Sequence, residues 1–153
     1  MSTRRFLTVS YAQIAVFQAS LLNPFSDWTD THVNQGFAWR PGSVSFRTKV
    51  DDGPHEVVVA CKAYADAPVE GLRVIEVPFS VTGSAPVVIA SIGDEFTVDL
   101  PEGSYALRFA IAADDARCIE LSFLKVDDPS FRVLRADADL RIDGPLLTSA
   151  EPA

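Results

Sequence analysis

The sequence predicts an all-β fold, an antiparallel β-sandwich with one short helix. Three observations point there. Apolar residues alternate with polar ones at period two along most of the chain. Clusters of Gly, Pro and Asp cut this pattern into eight to ten short segments. Only residues 29–36 carry the start and stop signals of a helix. With 153 residues and 48% hydrophobic content, the chain can bury a core as one domain without disulfide or metal support. Residues 1–143 are expected to form that domain, and 144–153, where apolar content thins, a flexible C-terminal tail.

From the N-terminus, residues 6–10 and 13–18 read as one strand kinked near Tyr11, or as two short ones. Residues 21–26, with Asn23-Pro24, form a loop. Thr29 is then a good N-cap, because its hydroxyl can accept from a first-turn amide, and Asp30 sits where the helix dipole favours an anion. Trp28 just before the cap and Val33 at the fourth helical position have the spacing of a hydrophobic staple. Gly36 can take the left-handed conformation that ends the helix. Arg40-Pro41-Gly42-Ser43 has the residues of a type II turn. Beyond it Val44, Phe46 and Val50 alternate with Ser45, Arg47 and Lys49, the period of a half-buried strand. Asp51-Asp52-Gly53-Pro54 is expected to fold this strand back as a hairpin onto residues 55–64. The run Val57-Val58-Val59-Ala60-Cys61 is apolar on both faces, as in a central strand. Pro78 cannot donate to a ladder, so the strand at 72–81 belongs at an edge or carries a bulge. A short apolar strand follows at 87–92. Phe96, Val98 and Leu100, the turn Pro101-Glu102-Gly103, and then Tyr105, Leu107, Phe109 and Ile111 make the clearest hairpin pattern. Asp114-Asp115 turns into a strand carrying Ile119, Leu121 and Phe123, Asp127-Asp128-Pro129 closes it, and residues 131–134 can add a last strand. The predicted core is Val44, Phe46, Val57, Val59, Ile75, Val77, Phe79, Phe96, Val98, Tyr105, Leu107, Phe109, Ile119, Leu121 and Phe123.

Charge narrows the function. Thirteen basic against 21 acidic residues give a net charge of -8, which repels a phosphate backbone and argues against direct nucleic-acid binding. From Asp94 onward there are 13 acidic and 6 basic residues, so the acidity belongs to the C-terminal half. Cys61 and Cys118 lie in apolar runs without C-x-x-C spacing and are expected as free thiols. The two N-terminal arginines precede a stretch broken by Tyr11, Gln13 and Gln18, which suits a strand better than a signal peptide, and no window approaches the ~18 apolar residues of a membrane span. A cytoplasmic protein is expected.

No catalytic constellation is evident. His32 and His55 are the two histidines, one on the helix and one opening a strand, and neither has a metal or nucleophile partner at motif spacing. The three Asp-Asp pairs, at 51, 114 and 127, match no calcium loop and read as solvated turns. Neither a metal nor another cofactor is expected. Trp28 and Trp39 bracket the helix, as core plugs or as an aromatic anchor at a binding surface. Both precede Cys61, whereas an immunoglobulin fold places a tryptophan between its two cysteines.

Read together, Leu7-Thr8-Val9-Ser10-Tyr11, Gln13, Val16-Phe17-Gln18, Asp27-Trp28-Thr29-Asp30, Gly36-Phe37-Ala38 and Gly42-Ser43-Val44-Ser45-Phe46 resemble the competence protein J family, the DNA-entry nuclease inhibitors. Val77-Pro78-Phe79 and Leu100-Pro101-Glu102-Gly103-Ser104-Tyr105 extend the resemblance over residues 7–127. It implies a non-enzymatic protein that binds and inhibits a DNA-degrading nuclease linked to DNA uptake. An acidic surface suits a nuclease's basic DNA-binding groove. Such a partner could tie the protein to a membrane-bound nuclease complex, and self-association into a homo-oligomer stays open. The contact residues expected are Asp114, Asp115, Asp127 and Asp128 in turns, or the patch Asp27, Trp28 and Asp30. The alternatives are an immunity protein against a toxin nuclease, a sandwich that binds a small molecule or carbohydrate through exposed Trp28 or Trp39, and a metal-dependent enzyme built on the Asp pairs.

Overall fold

Strands form wherever the period-two pattern runs. The computed structural model describes residues 2–153, and these hold eleven strands: β1 (Ser2–Val9), β2 (Gln13–Gln18), β3 (Phe37–Arg40), β4 (Ser43–Arg47), β5 (Gly53–Ala63), β6 (Arg73–Val81), β7 (Val87–Ser91), β8 (Asp94–Val98), β9 (Gly103–Ile111), β10 (Cys118–Lys125) and β11 (Arg132–Arg135). The helix α1 covers Asp30–Gln35, and a single 3-10 turn covers Tyr64–Asp66. Six strands make one sheet in the order β1-β5-β10-β9-β6-β11, and five make the other in the order β3-β4-β2-β7-β8. Neighbours are antiparallel except β5 and β10, which run parallel with Val57 opposite Ile119.

The apolar sets of the two sheets face each other. Phe46 stacks on Phe109 across the gap, ring centroids 4.7 Å apart, with offset geometry that aromatic pairs favour. Every predicted core residue is fully buried except Phe96 and Val98, which are half-buried against the same cluster. A smaller cluster on the outer face of the five-stranded sheet, Phe17, Val88 and Ala90, is covered by Leu21 and Phe25 of the loop that leads into α1.

Two expected hairpins are absent. Residues 48–52 join β4 to β5, and residues 99–102 join β8 to β9, yet in both cases the strands lie in different sheets. Gly-Pro turn chemistry marks where a strand ends but not whether the next one pairs beside it or crosses to the facing layer. Here β4 is already flanked by β3 and β2, and β9 by β6 and β10, so the crossing is what completes both sheets. The chain likewise changes sheet between β1 and β2. Pro78 behaves as expected: β11 pairs only with Val74–Glu76, so the Pro78 stretch of β6 is an edge, and its carbonyl accepts from Trp39 Nε1 at 2.7 Å. The unanticipated strand β3 pairs with β4 across the Pro41-Gly42 turn, where Gly42 takes φ +84°.

Beyond β11 the chain returns along α1 and is fastened by polar groups. Arg73 occupies an inward position of β6 and is completely buried; its guanidinium grips Asp137 through Nε at 2.7 Å and Nη2 at 3.0 Å, and Nη1 donates to Arg47 O at 2.6 Å. Lys49 adds Asp137 at 3.1 Å and Asp139 at 2.7 Å. Residues 144–153, expected to be a flexible tail, bond to the body at Gln35, His32, Asp27 and Phe25. A second buried charge pair, Glu76 with Arg108 at 2.6 Å, lies on the outer face of the six-stranded sheet under Tyr64.

Candidate functional site

The helix holds one side of the site. Thr29 caps it as expected, its Oγ1 accepting from His32 N at 3.4 Å. The imidazole takes the part that Glu or Gln plays in a capping box: Nδ1 accepts from Thr29 N at 3.0 Å. Nε2 therefore carries the proton and donates to Ser149 O at 2.9 Å, which explains a histidine only 2% exposed. Gln35 makes a reciprocal pair with Leu147, accepting from its N–H at 2.9 Å and donating to its carbonyl at 2.9 Å. Gly36 ends the helix at φ +92°, where a Cβ would stand 3.0 Å from Ile75 and 3.1 Å from Leu140.

Opposite the helix, the chain turns from β1 to β2 through Tyr11 and Ala12, both left-handed at φ 56° and 55°. Asn-Gly is the pair suited to such a turn, and each side chain forced into it costs roughly 1–2 kcal/mol. Backbone bonds hold the turn, Ala12 N to Asp51 O and Thr48 N to Ala12 O, each 2.9 Å. The Tyr11 ring is 76% exposed. Between turn and helix lies a cleft of about 320 Å³ lined by Tyr11, Ala12, Gln13, Trp28, Val33 and Arg47.

Trp28 is neither a core plug nor free in solvent. It is half-buried, lines the cleft with its staple partner Val33, and meets His32 edge-on with ring centroids 6.4 Å apart. Its Nε1 donor is buried without an acceptor, and so is Gln13 Oε1 without a donor. An unmet buried polar atom costs about 1–3 kcal/mol. Trp39, by contrast, is spent on structure, bonded to Pro78 and packed edge-on against Phe131 at 4.9 Å.

The predicted acidic residues do not form one patch. Asp27, Asp30, Asp114, Asp115, Asp127 and Asp128 are all exposed. However, Asp114-Asp115 and Asp127-Asp128 sit at opposite ends of β10, eight residues long and so about 25 Å from end to end. Arg117 donates to Asp52 O and Pro54 O, and Ala12 donates to Asp51 O, so the turns at 114–117, at 51–54 and at Tyr11 share one end of the sandwich. Asp27 and Asp30 flank the cleft at this end. Asp115 also shapes its own turn: accepting from Arg117 N at 3.0 Å lowers its pKa, and Cys118 Sγ donates to it at 3.3 Å. Burial, with Asp115 beside it, pushes the Cys118 thiol up to about 11, so this free cysteine is unreactive. His55 is fully buried, with Nδ1 donating to Gly53 O at 3.0 Å and Nε2 unmet; burial lowers its pKa.

Tyr11, Gln13 and Val33 entered the sequence reading as a kink, a signal-peptide interruption and a staple, not as site residues. The staple sets Val33 beside Trp28, but only the left-handed turn brings Tyr11 and Gln13 there, and Tyr-Ala carries no turn signal to announce it.

Comparison with known proteins follows the same frame. The competence protein J (ComJ) family model matches residues 6–124. A DNA-entry nuclease inhibitor of Bacillus subtilis (strain 168) is 28% identical over 102 residues, covering 66% of this chain and 75% of that protein. The crystal structure of ComJ from Bacillus subtilis, inhibitor of the DNA degrading activity of NucA, superposes with TM-score 0.70 at 26% identity, over 81% of this chain and 96% of that one. The product of crocagin biosynthetic gene J shares the fold at TM-score 0.53 and 14% identity, over 82% and 98%.

Proposed function

The chain belongs to the competence protein J family, and from that premise we propose that it binds and inhibits a DNA-degrading nuclease of a DNA-uptake system, without itself cutting or binding DNA. What carries the reading is the match to ComJ, an inhibitor of NucA, over nearly the whole of that protein. Charge supports it: a net charge of -8 favours encounter with a basic DNA-binding groove and disfavours DNA itself. Both histidines are committed to the fold, one in a helix cap and one inside the core.

The contact surface we propose is the end of the sandwich that carries Asp27, Trp28, Asp30, Asp114 and Asp115. Asp127 and Asp128, at the other end of β10, lie outside the surface proposed. Among the described residues no helix is long and apolar enough to cross a membrane.

The test mixes purified protein with the nuclease encoded nearest its gene and follows DNA degradation against molar ratio. Cleavage should stop near equimolar protein, with association slowing as salt rises. Undiminished cleavage at several-fold excess overturns the reading for that partner, and binding of free DNA by the protein alone contradicts its electrostatic basis.

A further inference from the structure

Resting on the inhibitor reading, we infer that the cleft between Tyr11 and Trp28 is the inhibitory contact and takes an exposed loop of the nuclease. One peptide unit of that loop accepts from the Trp28 indole and donates to the Gln13 side-chain carbonyl. A lysine or arginine of the loop faces Asp27, Asp30 and Asp51.

Three independent features converge on this cleft. Tyr11 and Ala12 hold a left-handed turn that glycine would hold freely, and the bonds that fix the turn are backbone bonds, to Asp51 and Thr48, that any residue could make. The fold therefore has no use for a tyrosine there, yet its ring stands 76% exposed at the rim. Strain kept at an exposed aromatic is characteristic of a binding position.

The second feature is chemical. Trp28 and Gln13 line the cleft, and each carries an unmet polar atom, the donor Nε1 and the acceptor Oε1, closed to solvent in the free protein, so both side chains must turn outward for a partner to meet them. A phosphate carries acceptors only and would leave Gln13 unmet; a hydrocarbon would meet neither. A backbone peptide unit has one N–H and one C=O, which together meet both.

The third is the sign of the rim. Arg47, the one cationic residue of the lining, is held in place by Val33 O at 3.1 Å and Asp139 O at 3.0 Å and keeps its charge, one cation against three carboxylates at the rim. Asp27, Asp30 and Asp51 are exposed and unpaired by any salt bridge among the described residues, so the field at the mouth favours a cationic loop.

The experiment compares Tyr11→Gly, Trp28→Phe and the double change Asp127→Asn/Asp128→Asn with the wild-type chain. Inhibition is titrated against two nucleases, NucA of Bacillus subtilis and the one encoded nearest the gene, and thermal midpoints are measured alongside. Tyr11→Gly relieves the turn, so its midpoint should hold or rise while the concentration needed for half-inhibition climbs at least tenfold. Trp28→Phe keeps an aromatic ring while removing the donor with its fused pyrrole ring, and should also weaken inhibition about tenfold. The change at the far end should leave inhibition as it was. Full inhibition by folded Tyr11→Gly, or a loss confined to the far-end variant, overturns the inference while the inhibitor reading stands. Loss in Tyr11→Gly but not in Trp28→Phe overturns the peptide pairing. A wild-type chain that inhibits neither nuclease overturns the inhibitor reading, and the inference with it.

Discussion

Replacing Asp137 by Asn should destabilise the protein by about 3–5 kcal/mol at pH 7, because it leaves Arg73 charged and completely buried with only the longer contact to Asp139, at 3.8 Å, as counter-charge. The geometry sets the size. Arg73 grips both carboxylate oxygens in a bidentate pair, and the Asp137 side chain is itself only 3% exposed. Titration gives an independent measure. Despite burial, which alone would raise it, the Arg73 and Lys49 bonds hold the Asp137 carboxyl down at about 2. A carboxyl near 3.9 in the unfolded chain then contributes roughly 2–3 kcal/mol, fully present above pH 4 and lost as pH falls from 4 to 2. Protonation gives the smaller figure because both oxygens of the neutral acid can still accept from Arg73, whereas asparagine sets an NH2 donor against the guanidinium. Urea denaturation reads both: a slope near 2 kcal/mol per M converts the substitution into a midpoint shift of about 2 M. The double variant Arg73→Met/Asp137→Ala should recover most of the loss, since an apolar replacement of the whole pair strands no charge. A shift below about 1 kcal/mol in Asp137→Asn, or a double variant no better than the single one, would refute the reasoning.

Three further outcomes can be checked with the same assay. Trp28→Ala should cost about 1–2 kcal/mol, less than the 3–5 of a fully buried aromatic, because the ring is half-exposed on the cleft. Gly36→Ala should lower the thermal midpoint by several degrees, since alanine is strained at φ +92° and its methyl would press on Ile75 and Leu140. His55 is buried neutral, so the unfolded chain takes up its proton first as pH falls below about 6.5; stability should decline from there toward pH 5, and His55→Phe should flatten that window without touching the one below pH 4.

The core was legible because period-two alternation maps directly onto the inner face of a sheet: Phe46, Phe109 and Phe123 could be placed without knowing any strand's partner. The helix was legible for the same local reason, with Thr29 and Gly36 acting through their own backbone neighbours. Partnership was not. The turn at Pro101-Glu102-Gly103 looks the same whether β9 folds back on β8 or crosses to the other sheet, and that choice depends on strands far away in sequence. Arg73 carries a signal of its own, since a cation in register with Ile75, Val77, Phe79 and Val81 on a buried face implies a carboxylate partner, but nothing local says which one. The candidate site was legible in Trp28, Asp27 and Asp30 but not in Tyr11 or Gln13, because a left-handed Tyr-Ala turn contradicts local preference.

The switching of successive strands between sheets has a consequence during synthesis. β10 joins the β1-β5 pair to the β9-β6 pair and is complete only at Lys125, so the larger sheet cannot close until four-fifths of the chain has been made. Until then the newly made chain presents β5 and β9 each with an open edge, and the smaller sheet with a facing layer split in two. Folding is therefore expected to begin late, to run in the slow range typical of non-local β topologies, and to depend on chaperone shielding of nascent chains stalled before β10. A stop codon anywhere upstream of that strand would yield not a smaller inhibitor but an aggregating fragment.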